Sequence, residues 1–204
     1  MVTSTPPTPA LPDKLFESAR KEFLAYGFAD ANVGRIAAAA GMSKKTIYKY
    51  VPSKEALFLA LVESVLHGSR LMLDGLDPQA APAVRLTACL EAFAQLAFSE
   101  EGITSYRLVM SEGIRFPEMA RSYIDTINRY SVPILANELT AFAATRHRSI
   151  GDPTFAAKML LAMVIAEPLR DAALGIALPP TGAAFDERLA SAVGIFLNGV
   201  GRTS

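Results

Sequence analysis

From Asp13 the apolar residues Leu15, Phe16, Ala19, Phe23 and Tyr26 recur at three- and four-residue spacing with Lys and Glu between them, which predicts an amphipathic helix closed by Gly27. Asn32 is placed to cap a second helix with apolar positions Val33, Ile36, Ala37 and Ala40, broken by Gly41. Ser43 caps a third, Lys44 to Tyr50, which Pro52 ends because the residue before a proline avoids the α region. Ser53 opens a fourth, whose broad apolar face (Ala56, Leu57, Leu59, Ala60, Leu61, Val65, Leu66) runs toward Leu76. Further helices are expected at about 82–99, 103–113, 117–145, 153–174 and 185–199, separated by turn signals at Gly102, Phe116-Pro117, Gly151-Asp152-Pro153 and Leu178-Pro179-Pro180. Pro168 falls inside the 153–174 helix, where it removes a backbone hydrogen bond and should kink the helix near Val164 or Ile165.

This periodicity reads as an all-α chain of about nine helices, and the 51% hydrophobic content excludes a disordered protein. Residues 1–12 are Pro-rich and read as an extended tail, 13–58 as a three-helix head, and 59–204 as a helical body. The tail has neither a positively charged start nor an apolar run, so it is not read as a signal peptide. No charge-free apolar stretch reaches the ~18 residues a membrane span needs. The lone Cys89 has no partner for an intrachain disulfide and lies in the apolar helical context LTACLEAF, which suits a small buried side chain in a reducing cytoplasm. With His67 and His147 it forms no recognisable zinc set, so no metal or other cofactor is expected.

The formal net charge is zero, but its distribution is uneven: residues 13–58 hold eight Lys/Arg against five Asp/Glu. Within 31–54 stand Arg35, Lys44, Lys45, Lys49 and Lys54 with no acid at all. Two short helices joined across Gly41 form a helix-turn-helix pattern, the glycine permitting the reversal and the alanines close approach. At 100° per residue Ile47 and Val51 face inward, Lys45, Thr46 and Lys49 face outward, and Lys44, Tyr48 and Tyr50 flank them. Three lysines on seven residues repel one another until an anion is present, so an anionic partner, double-stranded DNA for a helix-turn-helix, is a natural explanation, with a solvated surface helix as the alternative on charge alone. Phosphate contacts suit Asn32, Lys49, Tyr50 and Lys54. Base-edge contacts suit Lys44, Lys45 and Tyr48, and Thr46 suits either.

The run NVGRIAAAAGMSKKTIYKYVPSKEALFLAL resembles the DNA-binding signature of the tetracycline-repressor (TetR) family. The resemblance covers Gly27-Phe28, Ile36-Ala37, Gly41 with Ser43, Thr46, Tyr48, Tyr50, Pro52 to Glu55, and Leu57-Phe58. Val51 departs from the commoner phenylalanine, and Gly34 stands where many members carry a polar or basic side chain, which tells against a base contact from the second helix. The segment Ser105 to Glu112 followed by Arg115 to Glu118 is similar to AefR-like effector domains. The resemblance implies a repressor that binds a palindromic operator as a homodimer; release by a small, largely apolar effector is expected from the body's aromatic and methionine side chains, since the resemblance carries architecture and no ligand. It also implies that helices 153–174 and 185–199 pair with their copies. Their apolar stripes agree: Met159, Leu160, Met163, Val164 and Leu169, then Leu189, Ala192, Val193, Phe196 and Leu197. Candidate effector contacts are Phe93, Met110, Phe116, Met119 and Tyr123, with Arg107 and Glu112 as charges that need partners. The alternative is a helical small-molecule-binding or enzymatic protein with no role in transcription. No nucleophile-base constellation or glycine-rich phosphate loop supports it.

Overall fold

A computed structural model describes residues 11–147 and 150–199, without the side chains of 65, 67–72 and 74. The expectations for most of the 1–12 tail and for His67 lie outside the described residues. Every regular element is helical: α1 (Asp13–Asp30), α2 (Val33–Ala40), α3 (Lys44–Tyr50), α4 (Lys54–Asp74), α5 (Pro82–Ala97), α6 (Glu100–Glu112), α7 (Pro117–Thr145), α8 (Pro153–Leu161), α9 (Glu167–Leu174) and α10 (Gly182–Gly199). A π turn at Ala162–Ala166 joins α8 to α9 without leaving helical backbone. The described residues therefore form nine rods, the all-α architecture read from periodicity.

Two compact units divide the chain, and they do not follow its order. The first holds the residues up to Val65 together with Leu108–Tyr123, and the second holds Leu66–Arg107 and everything from Ile124 onward. In the first unit Gly27, with φ of 70°, interrupts α1 where the apolar stripe ended. Phe28 then turns into a core of Leu15, Ala19, Phe23, Ile36, Ile47, Val51, Leu57 and Phe58. Phe23 stacks on Phe28 at 5.9 Å, and Phe58 meets the two rings edge-on at 5.7 and 6.0 Å. The same cluster takes in two rings from far along the chain, Phe116 edge-on to Phe28 at 5.0 Å and Tyr123 stacked on Phe58 at 6.3 Å.

The second unit is built around Leu86, Leu90 and Phe93 of α5, Leu135 and Leu139 of α7, Leu160, Val164, and Phe185, Leu189 and Val193 of α10. Half of the two stripes expected to face a second copy is thus spent inside this chain: Leu160, Val164, Leu189, Ala192 and Val193 are buried here. Periodicity identifies an apolar face without saying which core it joins. The irregularity expected at Pro168 appears as the π turn just before it. Having no N–H, Pro168 leaves the Val164 carbonyl without its helical donor. Arg188 of α10 supplies one, donating from Nε to Val164 O at 2.9 Å and from its terminal nitrogen to Met163 O at 3.0 Å. Arg85 on α5 ties down Glu138 on α7 at 2.8 Å. Buried beside that pair, the Cys89 thiol is pushed up to about 11 by burial, with Glu138 adding to the shift and Arg85 opposing it.

Helix α6 starts three residues earlier than the turn signal at Gly102 suggested. Ser99 caps it, its Oγ accepting from the Gly102 N–H at 3.0 Å. A Cβ at position 102 would meet the Leu96 carbonyl oxygen and stand 2.6 Å from that of Ala97, so glycine is required by close approach to the end of α5. Gly102→Ala is expected to lower stability by ~1–3 kcal/mol through overpacking against rigid backbone. A melting temperature equal to the parent's would show that this corner relaxes freely.

Candidate nucleic-acid interface

The turn between α2 and α3 is assembled from backbone chemistry. Gly41 adopts φ 67°, ψ 31°, and the N–H groups of Gly41 and Met42 close back on the carbonyls of Ala38 (3.2 Å) and Ala37 (2.8 Å), which satisfies the end of α2. Ser43 then caps α3, its Oγ accepting from the Thr46 N–H at 3.0 Å and lying 2.9 Å from the Thr46 hydroxyl. Both hydroxyls of that pair are engaged with each other. Ile47 and Val51 are fully buried, which fixes the roll of α3 about its axis. The opposite side presents Lys44, Lys45, Tyr48 and Lys49 to solvent, while Thr46 and Tyr50 are half-buried.

Partners divide the five cations of the 31–54 window into two groups. Lys54 donates to the carbonyls of Ala29 (2.9 Å) and Ala31 (3.2 Å) and lies 4.8 Å from the centre of the Phe28 ring. It closes the turn after α1. Arg35 is held by Glu22, donating from Nε at 2.8 Å, by the Asp30 carbonyl at 2.8 Å, and by the Tyr26 face at 4.2 Å. Asn32 spends its carboxamide oxygen capping α2 on the Gly34 N–H at 2.7 Å. Among the described residues Lys44, Lys45 and Lys49 form no ion pair or hydrogen bond, so their charge stays available to an anion.

Glu22 is the residue that sequence reasoning passed over. It is buried, and its Oε1 accepts from the Asn32 backbone N–H at 2.8 Å as well as from Arg35. Burial works against its charge, but the bonds from Arg35 and Asn32 and the Arg35 charge outweigh it and hold the carboxyl below its ordinary value. Position 22 lies seven residues after Leu15 and three after Ala19, on the buried stripe, and that register was the available signal.

The seven candidate effector contacts are distributed over both units, Phe93 and Arg107 in the second and the other five in the first. Phe93 belongs to the core of the second unit. Phe116, Met119 and Tyr123 fall in the first, Met119 and Tyr123 buried and Phe116 against Phe28. Met110 is exposed and Glu112 half-buried. Arg107 finds its partners in backbone, donating to the carbonyls of Ala173 (2.7 Å) and Ala172 (3.2 Å) at the end of α9. A shallow groove of about 550 Å³ opens elsewhere, between α7 and α8, lined by Asp125, Arg129, Pro133, Asn137, Thr154 and Lys158 among others. Among the described residues no group of three or more His, Cys, Asp or Glu is arranged to hold a metal, and no helix is long and apolar enough to cross a membrane.

Residues 15–61 match the family model described as bacterial regulatory proteins, tetR family, and residues 84–199 match that of the AefR-like transcriptional repressor, C-terminal domain. The HTH-type transcriptional regulator RutR of Escherichia coli K12 is 32% identical over 126 residues, which are 62% of this chain and 51% of RutR. The chain thus spans about half the length of the curated relatives it matches. Among solved structures, the flavonoid-responsive regulator FrrA is similar with a TM-score of 0.75 and 27% identity over 94% of this chain and 97% of FrrA. A TetR family transcriptional regulator from Pseudomonas syringae pv. tomato DC3000 shares the fold, with a TM-score of 0.71 and 23% identity over 97% of this chain and all of that one.

The Glu22 cluster sets a pH dependence. A carboxyl whose folded pKa is depressed contributes stability above its unfolded value and loses it as pH falls through the folded one. Glu22→Gln is therefore expected to cost ~1–3 kcal/mol at pH 7. The gap between parent and variant should close as pH drops below the ordinary carboxylate range, about 4. Thermal melts across pH 3–7 read this directly, and a gap that stays constant over that range would remove Glu22's charge from the account.

Proposed function

Because the chain belongs to the TetR family of bacterial regulatory proteins, we propose that it is a homodimeric, cytoplasmic repressor whose α3 enters the major groove of a palindromic operator. The observation that carries this is the outer face of α3: three exposed lysines without partners and an exposed tyrosine, on a helix whose inner face and N-cap are fixed by packing. A base-reading helix must be held rigidly by its scaffold while its reading side chains stay free, and this one meets both demands. Lys45 and Tyr48 take base edges, and Lys49 a phosphate at the C-terminal end of the helix. The relatives and structural neighbours are transcriptional regulators, so the enzymatic alternative falls away.

Duplexes selected from a random library by the full-length protein test the reading by fluorescence anisotropy. Lys45→Ala is expected to weaken the selected duplex by ~1–3 kcal/mol and relax preference at one base pair per half-site, with an unchanged circular-dichroism spectrum. A chain that selects no sequence, or a variant that selects as sharply as the parent, would reject this face as the reader. The flavonoid response in FrrA's name supports a small apolar effector acting on the body. The same assay with flavonoids added tests release of the duplex.

Dimerisation has its own physical support in the second unit. Phe155 and Met159 are 61% and 46% exposed on α8, continuing into exposed Ala162 and Ala166 of the π turn, and Ile195 is 67% exposed on α10. Large apolar side chains beside small ones make a stripe suited to helix packing across a two-fold axis. Phe155→Glu combined with Ile195→Glu is expected to give folded monomers in sedimentation, since neither residue belongs to the chain's own core. A variant that still sediments as a dimer would place the interface elsewhere.

A further inference from the structure

Gly34 lies in the first turn of α2 with no left-handed φ, so nothing in its backbone demands glycine. Within an eight-residue helix glycine instead carries a conformational cost that alanine would not. Two side chains fill the space that a Cβ would take: the flexible end of Lys44 in the next helix and the capping Asn32. A Cβ at position 34 would stand 2.7 Å from Lys44 Cε and 3.1 Å from its Nζ, and 2.9 Å from the capping Asn32 Oδ1. Lys44 is the first residue of α3, yet its side chain runs back across α2 and occupies the space that the missing Cβ leaves.

We propose that Gly34 is a positioning residue for operator binding: it opens the slot in which the Lys44 side chain lies along α2, and so directs this ammonium to a backbone phosphate instead of a base edge. The inference rests on the reading of α3 as the recognition helix. In a helix-turn-helix the first of the two helices crosses the DNA backbone while the second enters the groove, so a lysine laid along α2 is carried toward phosphate. This revises the base-edge role expected for Lys44 from its place in α3. It leaves Lys45, one residue on and exposed, as the lysine that reads sequence.

The two roles have different signatures. A phosphate contact contributes to every duplex and to the salt dependence, whereas a base contact contributes to one position of one sequence. The experiment measures the full-length parent, Gly34→Ala, Lys44→Ala and the double variant on a duplex selected by the parent, on its single-base variants, and on an unrelated duplex of equal length, each across a salt series. Lys44→Ala is expected to weaken all duplexes by a similar factor and to lower the slope of log Kd against log salt by about two per dimer, one for each subunit. Gly34→Ala is expected to reproduce part of that change with a melting temperature at or above the parent's, and to add nothing in the Lys44→Ala background.

Three results would overturn the proposal. They are binding by Gly34→Ala with the parent's affinity and salt slope; a Gly34→Ala loss that persists undiminished without Lys44, which would assign the effect to the Asn32 cap; and relaxed selectivity at one base pair in Lys44→Ala with the slope intact. Failure of the parent to select any sequence would instead overturn the underlying recognition-helix reading, so the two failures are distinguishable.

Discussion

The head depends on one buried ring. Phe28 follows the left-handed Gly27 and is fully buried, with Phe23, Phe58 and Phe116 on its faces and edges and the Lys54 ammonium above it. The four contacts come from three stretches of chain: Phe23 from α1, Phe58 and Lys54 from the first turns of α4, and Phe116 from the approach to α7. Aromatic pairs add ~0.5–1.5 kcal/mol each beyond the area they bury. A ring shared by three partners thus stabilises the meeting point of several elements more than any one of them. Gly27 makes this possible by ending the α1 stripe at the residue where the chain has to turn inward.

That meeting point also decides which charges are left for DNA. Lys54 and Arg35 stand in the same basic window as the α3 lysines, and by composition nothing separates them. The fold does. Lys54 neutralises two carbonyls left over where α1 ends, and Arg35 answers Glu22, a carboxylate that is buried only because it receives the Asn32 N–H and the guanidinium together. Unpartnered, that carboxylate would be costly to bury, so Arg35 is a structural cation. The electropositive face narrows to Lys44, Lys45 and Lys49.

The parts of this architecture that sequence made legible are those fixed by neighbours in sequence. The caps at Asn32, Ser43 and Ser53, the reversal at Gly41 and the inward side of α3 depend on residues within one or two turns, and the structure places each as the spacing implied. Pro168 was legible for the same reason. Pro133, equally interior to α7, produced no break at all, because a 29-residue helix packed through Val132, Leu135 and Leu139 tolerates one lost hydrogen bond. Gly102 was misread as a break, since a glycine required by contact with two carbonyls looks the same in one dimension as a glycine that ends a helix.

What stayed illegible is non-local. Phe93, Phe116, Met119 and Tyr123 share a composition suited to a pocket, and their helical spacing is equally that of core. Only the three-dimensional partition assigns Phe93 to one unit and the other three to another. Arg107 shows the limit most clearly: a charge on an amphipathic helix needed a partner, and the partner was the unsatisfied carbonyl end of α9, 65 and 66 residues away. Helix C-termini carry such carbonyls wherever they occur and leave no trace in side-chain pattern. A charged residue facing inward therefore calls for a count of free backbone carbonyls before a ligand is invoked, at helix ends for Arg107 and Lys54 and at the proline-interrupted π turn for Arg188.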